Sequence, residues 1–208
     1  MVPLSTAGTH LKALVGQRIV GIARPCGDGL RPYYSDAIPN KNYLIGRGRL
    51  ALLRTQQRPI LGFRPRERGM HVHIAPIEEL FNPQFPNFAR ENVNLQVKED
   101  LGNEKYEVEI GKFVIGRTII SVDIFVRFAY EEGIMYREER ALRFNLDNSQ
   151  VFLLGFHIGP DDAGYALRFL RVEHIESHLY STSRFMGIDE VASMGIPSNL
   201  HIDSNKYY

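Results

Sequence analysis

The chain has no tryptophan and a single cysteine, Cys26, in 208 residues. One thiol cannot form an intramolecular bridge, which excludes a disulfide framework and any cysteine cluster for metal. Cys26 lies in the turn-like Pro25-Cys26-Gly27-Asp28-Gly29 and reads as incidental rather than nucleophilic. No stretch approaches the roughly eighteen consecutive apolar residues that a membrane span requires. The start, Met1 to Ser5, has neither the basic region nor the apolar core of a secretory signal. These absences point to a soluble protein of the cytoplasm with no membrane partner. Catalytic motifs are also missing: there is no phosphate-binding glycine loop followed by Lys-Ser/Thr, no serine elbow and no helical His-Glu-x-x-His. No cofactor is implied.

Lysine is scarce as well, six against nineteen arginines. Guanidinium forks bind phosphate and guanine edges bidentately, so the bias suits nucleic-acid or phosphorylated ligands, although genomic base composition produces the same bias. The net charge of +1 hides an asymmetry. Residues 1–75 carry twelve Lys/Arg against Asp28, Asp36 and Glu67; residues 76–208 carry thirteen against twenty-one Asp/Glu. A basic part attracts polyanions and an acidic remainder orients the encounter. Two halves of opposite sign also suit an interface, within one fold or between subunits.

The basic part centres on Lys41 to Ile74, which holds Arg47, Arg49, Arg54, Arg58, Arg64, Arg66 and Arg68 with Glu67 as its only acid. Gly46-Arg47-Gly48-Arg49 would let backbone approach a ligand, and Arg64-Pro65-Arg66-Glu67-Arg68-Gly69 reads as a basic turn. Upstream, Cys26 to Lys41 is a long loop in which Tyr33 and Tyr34, beside Arg31, can stack on bases or cover a core. Met70-His71-Val72-His73-Ile74 alternates, predicting an apolar face and a half-exposed face carrying both histidines. Two histidines without a third ligand do not make a metal site, so none is assigned.

The pattern elsewhere predicts a mainly β, β-rich α+β fold: an antiparallel sheet or small barrel with a few short helices. Thr9 is placed to cap a helix over His10 to Val15, with Leu11, Leu14 and Val15 on one side and Gly16 as its stop. Arg18 to Ala23 reads as a strand. Pro83 to Phe88 is the best boundary, giving a basic part over 1–82 and an acidic meander or barrel over 83–208, or one continuous domain. Beyond it, strands are expected at Val93 to Val97, Tyr106 to Ile110, Ile120 to Tyr130, Ile134 to Phe144, Val151 to Ile158 and Tyr165 to Ile175. In the third of these, Ile120, Val122, Ile124, Val126, Phe128 and Tyr130 share one face. Ile188 to Ser193 reads as a short helix ended by Gly195-Ile196-Pro197. His201 and Asp203, near the end of the sequence, are a candidate acid/base pair if brought near the arginines.

Two resemblances follow. Leu170-Arg171-Val172-Glu173-His174-Ile175 is similar to the F-R-L-D-R-I segment of WYL-type domains, small Sm-like barrels of bacterial regulators. Val151 to Phe156 stands where that family has its Trp-Tyr-Leu strand, and Tyr130 with Arg137 or Arg140 stands where it has a tyrosine and a following arginine. The likeness covers residues 119–185; tryptophan is missing, His174 replaces an arginine and no winged helix precedes it. It implies a ligand-sensing or nucleic-acid-binding barrel with Arg140 and Arg171 as contacts. Separately, Tyr34, Tyr43-Leu44-Ile45-Gly46 and Arg54 loosely resemble the motif series of GIY-YIG nucleases, with an extra residue in the second motif and no assignable glutamate.

Three classes of function are compatible with these residues. The reading preferred here is a binding module, regulatory in the WYL sense, whose surface of Arg31, Tyr34, Arg47, Arg49, Arg54, Arg58, Arg64, Arg66 and Arg68 engages nucleic acid or a phosphorylated ligand. A DNA- or RNA-directed enzyme, a nuclease or a base-removing activity, would use the same arginines with Tyr34, His71, His73 or His201. Self- or hetero-assembly through basic and acidic surfaces is the third.

Overall fold

The structure is a computed structural model that describes residues 2–23, 51–57, 61–66, 71–76, 110, 113–131, 134–156, 158, 167–175, 179 and 181–195. Alternating β-branched and aromatic residues form two antiparallel five-stranded sheets that do not close into a barrel. The first contains β1 (Val2–Pro3), β2 (Ile19–Ala23), β3 (Ala51–Thr55), β4 (Leu61–Arg66) and β5 (His71–Pro76), in the order β1-β5-β4-β3-β2. The second contains β6 (Ile119–Glu131), β7 (Ile134–Leu146), β8 (Val151–Phe156), β9 (Leu167–Leu170) and β10 (Ser183–Gly187), in the order β10-β6-β7-β8-β9. Of the two expected geometries, open sheets are the one adopted.

One buried cluster joins them. Ile22, Leu53, Phe63 and Ile74 of the first sheet share it with Ile124, Phe144, Phe152 and Phe169 of the second. Leu4, Leu11 and Leu14 near the start, and Ile188 and Val191 of α2 (Ile188–Ser193), close one side. The sheets also meet through backbone. Ile19 N–H donates to Arg117 O at 2.8 Å, Ile119 N–H to Gln17 O at 2.9 Å, and Arg18 forms a bridge with Thr118. A strand start that pairs across the corner fixes the two layers without a covalent link.

The far face of the second sheet has a smaller cluster of its own, in which Phe125, Ala141, Leu153 and Leu170 of the strands pack with Ile158, Ile175 and Leu179. β8 is therefore buried on both faces, which is why Val151 to Phe156 is a continuous apolar run rather than an alternating one. Gly155 lets Ile158 cross it. A Cβ there would fall 3.0 Å from the Ala141 Cβ and 2.8 Å from the Ile158 Cγ1. Gly155→Ala is expected to destabilise by about 1–3 kcal/mol through overpacking, and Ile158→Ala in the same chain to recover part of that loss. Urea titration of the single and double variants checks this; additive losses would place Ile158 elsewhere.

Several elements depart from expectation for identifiable reasons. The first helix, α1 (Gly8–Lys12), begins before Thr9, and its N-cap is Ala7 with no side-chain hydrogen bond. Leu11 and Leu14 are buried, but Val15 is 43% exposed. Gly16 does end this segment, at φ +80°, and its N–H reaches Ile119 O. In β6, Ile119 pairs with Leu146 and Ser121 with Asn145, so Ile120 is the extra residue of a bulge. That slip buries Ile119 and leaves Ile120 55% exposed, while Val122, Ile124 and Val126 face the core as expected. The strand expected over Tyr165 to Ile175 ends at Leu170, where a 3-10 turn, Val172–His174, takes over. The short helix Ile188–Ser193 is present, followed by Gly195 at φ +72°. Val93 to Val97, the 83–88 connector, His201 and Asp203 lie outside the described residues, as does all of the Tyr106 to Ile110 strand except Ile110, which is buried.

Candidate functional site

The first sheet gathers its arginine-bearing segments mainly at one end. Ala51 pairs with Phe63, and Ala23 with Leu52, so β2 stops and β3 begins level with Phe63 of β4. The β4–β5 hairpin continues three residues further, with Arg64 opposite His73, Pro65 opposite Val72 and Arg66 opposite His71. At about 3.3 Å per residue this is a projection of roughly 10 Å. Residues 24–50, with Arg31, Tyr34, Arg47 and Arg49, leave and rejoin the sheet at this end. Residues 67–70, with Arg68, connect β4 to β5 there too. These connections lie outside the described residues; their points of attachment do not.

Arg54 and Arg58 belong to the opposite end. Arg54 pairs with Gly21, between the buried Leu53 and Thr55, and is itself half-buried; Arg58 lies in the undescribed residues 58–60. Of the two histidines expected on a half-exposed face, His73 is buried at 6% exposure, and the His71 side chain lies outside what the structure describes. β5 is an interior strand between β1 and β4, and Val72, His73 and Ile74 are all buried there. Among the described residues, no three His, Cys, Asp or Glu side chains come together to hold a metal.

The two arginines singled out in the second sheet have different settings. Arg171 is half exposed, 3.6 Å from Glu173 and 5.2 Å above the Phe113 ring. Arg140 is buried, and its Nε donates to Glu138 Oε2 at 2.8 Å. Arg140 is also the extra residue of a second bulge, because Val126 pairs with Glu139 and Phe125 with Ala141.

That bulge ends an unusual run. Arg137, Glu138, Glu139 and Arg140 are four consecutive charged residues in one strand, and all are buried. Alternation puts one arginine and one glutamate on each face, Arg137 with Glu139 and Glu138 with Arg140. Glu138 and Arg140 meet on the far face, joined by Arg127 Nη1, which donates to the same Glu138 oxygen at 3.3 Å. Arg137 and Glu139 turn toward the first sheet. There, Arg137 Nη2 donates to Glu139 Oε1 at 3.2 Å and to Gly195 O, while Ser5 N–H donates to Glu139 Oε2 at 2.9 Å. Burial pushes the Glu139 carboxyl above its ordinary value, against the opposing pull of the Ser5 hydrogen bonds and the Arg137 guanidinium. Beside the bulge, Asp123 Oδ2 accepts from Arg143 Nε at 2.9 Å, Arg143 Nη2 at 2.7 Å and Asn145 Nδ2 at 3.0 Å.

No family model, curated protein or solved structure matches the chain. Its chemistry has to be read from its own residues. The sequence singled out Arg137 and Arg140 but not Arg127 and Glu138 on one face or Glu139 and Ser5 on the other. The available signal is the Arg-Glu-Glu-Arg run itself, since its i, i+2 spacing sets opposite charges together on each face of a strand, the pairing that buried charges require.

Proposed function

We propose that this protein is a β-rich binding module for nucleic acid or a phosphorylated ligand, working in the cytoplasm, with the Arg66 end of the first sheet as its contact surface. The observation that carries the reading is topological. The β2–β3 and β4–β5 connections, which hold Arg31, Tyr34, Arg47, Arg49 and Arg68, attach at the end where Arg64 and Arg66 project past β3. Six arginines in segments rooted on one rigid edge form a multivalent phosphate contact, and Tyr34 adds a stacking surface. The described part of the second sheet pairs its own charges internally, leaving the basic end as the principal source of attraction. A regulatory role is part of this proposal only through the resemblance of residues 119–185 to WYL-type domains, from which the open second sheet and the buried, ion-paired Arg140 depart.

The test uses labelled duplex DNA, single-stranded DNA and RNA at low and moderate salt, each sample divided between a native and a denaturing gel. Retardation with intact strands is expected. Arg47→Ala with Arg49→Ala should weaken binding and lower the slope of log affinity against log salt by about two for duplex DNA, one unit per lost phosphate contact. Unchanged affinity in the folded double variant would overturn the assignment of these two residues. Cut strands would replace binding with an enzyme, and no retardation of any probe would leave assembly between copies as the role of the charge asymmetry.

A further inference from the structure

The second sheet ends in an open edge. β10 pairs with β6 on one side, from Ser183 opposite Arg127 to Gly187 opposite Asp123, without a bulge. Phe128 N–H donates to Thr182 O at 2.8 Å, which makes 128 and 182 a hydrogen-bonded pair. By alternation Arg184 and Met186 also bond to β6, and the N–H and C=O groups of Ser183, Phe185 and Gly187 point away from it. Among the described residues, no backbone group meets these three on the outer side. Gly187 and the flanking Ser181 and Thr182 are exposed, so water reaches this edge.

Sheet edges are ordinarily blunted by proline, lysine, a bulge or very short length. β1, at the edge of the first sheet, is two residues long and contains Pro3. β10 is five residues long and has none of these devices. Its one charged residue, Arg184, alternates with the buried Met186 and so projects to the core side, over the Phe128 ring and 3.6 Å from Glu190. On the far face it carries Ser183, Phe185 and Gly187, small at both ends and aromatic at the centre. The Phe185 ring is held in place, with its centroid 4.9 Å from that of Phe125 and the Arg143 guanidinium 4.1 Å above it.

We propose that β10 pairs with β10 of a second copy of this chain, antiparallel about a two-fold axis at Phe185, so that the two second sheets become continuous. The strand itself selects this partner and register. Centred on Phe185, all five residues are paired, and the outward residues meet one another: Ser183 with the partner's Gly187, and Phe185 with the partner's Phe185. Each of these is a hydrogen-bonded pair that exchanges both N–H···O bonds. The side chains fit as well, since a serine falls opposite a bare glycine and two aromatic rings become cross-strand neighbours, a stabilising pair. An axis at Arg184 would set two guanidiniums directly opposite, and one at Met186 would leave Ser183 outside the ladder. Pairing uses up the edge, so the assembly closes at two. A seam of this length falls short of the roughly 1,200 Å² of a standard interface, and the dimer is expected to be reversible. It does not involve the Arg66 end and stands whether or not that end binds nucleic acid.

The experiment is sedimentation velocity of the full chain from about 1 to about 100 μM, with amide exchange followed by NMR at both ends of the range. A reducing agent keeps Cys26 from linking copies. A shift from monomer to dimer is expected across the range, and about 0.5 M salt should leave it in place, because the seam is made of backbone and uncharged side chains. Exchange at Ser183, Phe185 and Gly187 should be fast when dilute and about fivefold slower when most copies are paired, with Arg184 and Met186 protected throughout. The deciding variant is Gly187→Pro. Gly187 has φ −64°, which proline adopts, and a Cβ there meets nothing within 4 Å. Its N–H has no partner within the fold, so the variant should keep its melting temperature and weaken the dimer about tenfold or more. A chain that stays monomeric at about 100 μM, a dimer that Gly187→Pro leaves intact or that salt dissociates, or species larger than a dimer would each overturn the proposal. So would a dimer in which exchange at Ser183, Phe185 and Gly187 is unchanged, since its interface would lie elsewhere.

Discussion

Phe152→Ala is expected to destabilise the protein by about 4 kcal/mol, roughly a quarter or more of the ~5–15 kcal/mol typical of a native protein. Phe152 is fully buried, and its ring stacks on Phe144 at a centroid distance of 4.6 Å and an interplanar angle of 10°. A tilted contact to Phe169 follows at 6.4 Å and 43°. The three rings come from adjacent strands, because Phe144 pairs with Phe152, while Phe169 pairs with Leu154 two positions on. They fill the layer between the sheets. Truncation loses the transfer energy of the ring, leaves a void that a packed interior closes only partly, and removes both aromatic contacts. Phe152→Leu retains most of the volume and is expected to cost about half as much or less. Because Phe152 shares its cluster with Phe63 and Ile74, probes in both sheets should lose structure at the same reduced urea concentration. A loss below about 1 kcal/mol would contradict this packing, and a transition that moves in only one sheet would separate the two layers energetically.

The strands themselves were largely legible in the sequence, because period-two alternation reports directly on a half-buried sheet face. Val122, Ile124 and Val126 are inward for that reason. Alternation fails at bulges, where one added residue exchanges the faces, and both bulges of the β6–β7 hairpin change which residues matter. One turns Ile120 outward, and the other adds Arg140 between Glu139 and Ala141, so that Glu139 pairs with Val126 while Ala141 joins Phe125 in the far-face cluster. β10 was not legible at all. Ser183 to Gly187 offers no clean alternation, and it is a strand because β6 presents an edge to it. For the candidate site, composition located the basic segments, but which of them leave the sheet at a common end depends on register. Arg54 lies only five residues from Arg49 and still belongs to the opposite end, since β3 runs between them.

Glu139 should give the protein a pH dependence of unusual sign. Most native carboxylates have lowered pKa values and lose stability in acid; here burial raises the value above the ordinary 4.5. The folded state then holds this proton more tightly than the unfolded chain does. The contribution of Glu139 is most favourable below the unfolded value and declines as pH rises through the folded one, with a slope set by the difference in bound protons. Other carboxylates impose the opposite trend, so the effect is read as the difference between the native protein and Glu139→Gln. That variant removes the titration but not the geometric demand. Oε1 accepts from Arg137 and Oε2 from Ser5 N–H, so an amide must turn its NH2 toward one of two donors. It is therefore expected to cost about 1–3 kcal/mol at neutral pH, a penalty that grows as pH falls toward 4.5, because the native protein alone gains from protonation. Glu139→Leu, which leaves the buried Arg137 without its carboxylate, should cost about 3–5 kcal/mol; pairing it with Arg137→Met should restore most of the loss, since the replaced pair needs no desolvation of charge. Denaturant titrations of the four proteins from pH 4 to 8 measure both effects. A Glu139→Gln penalty that shrinks in acid would mean that Arg137 and Ser5 outweigh burial at this carboxylate. Additive losses in the double variant would mean that Arg137 is held by Gly195 O and not by the ion pair.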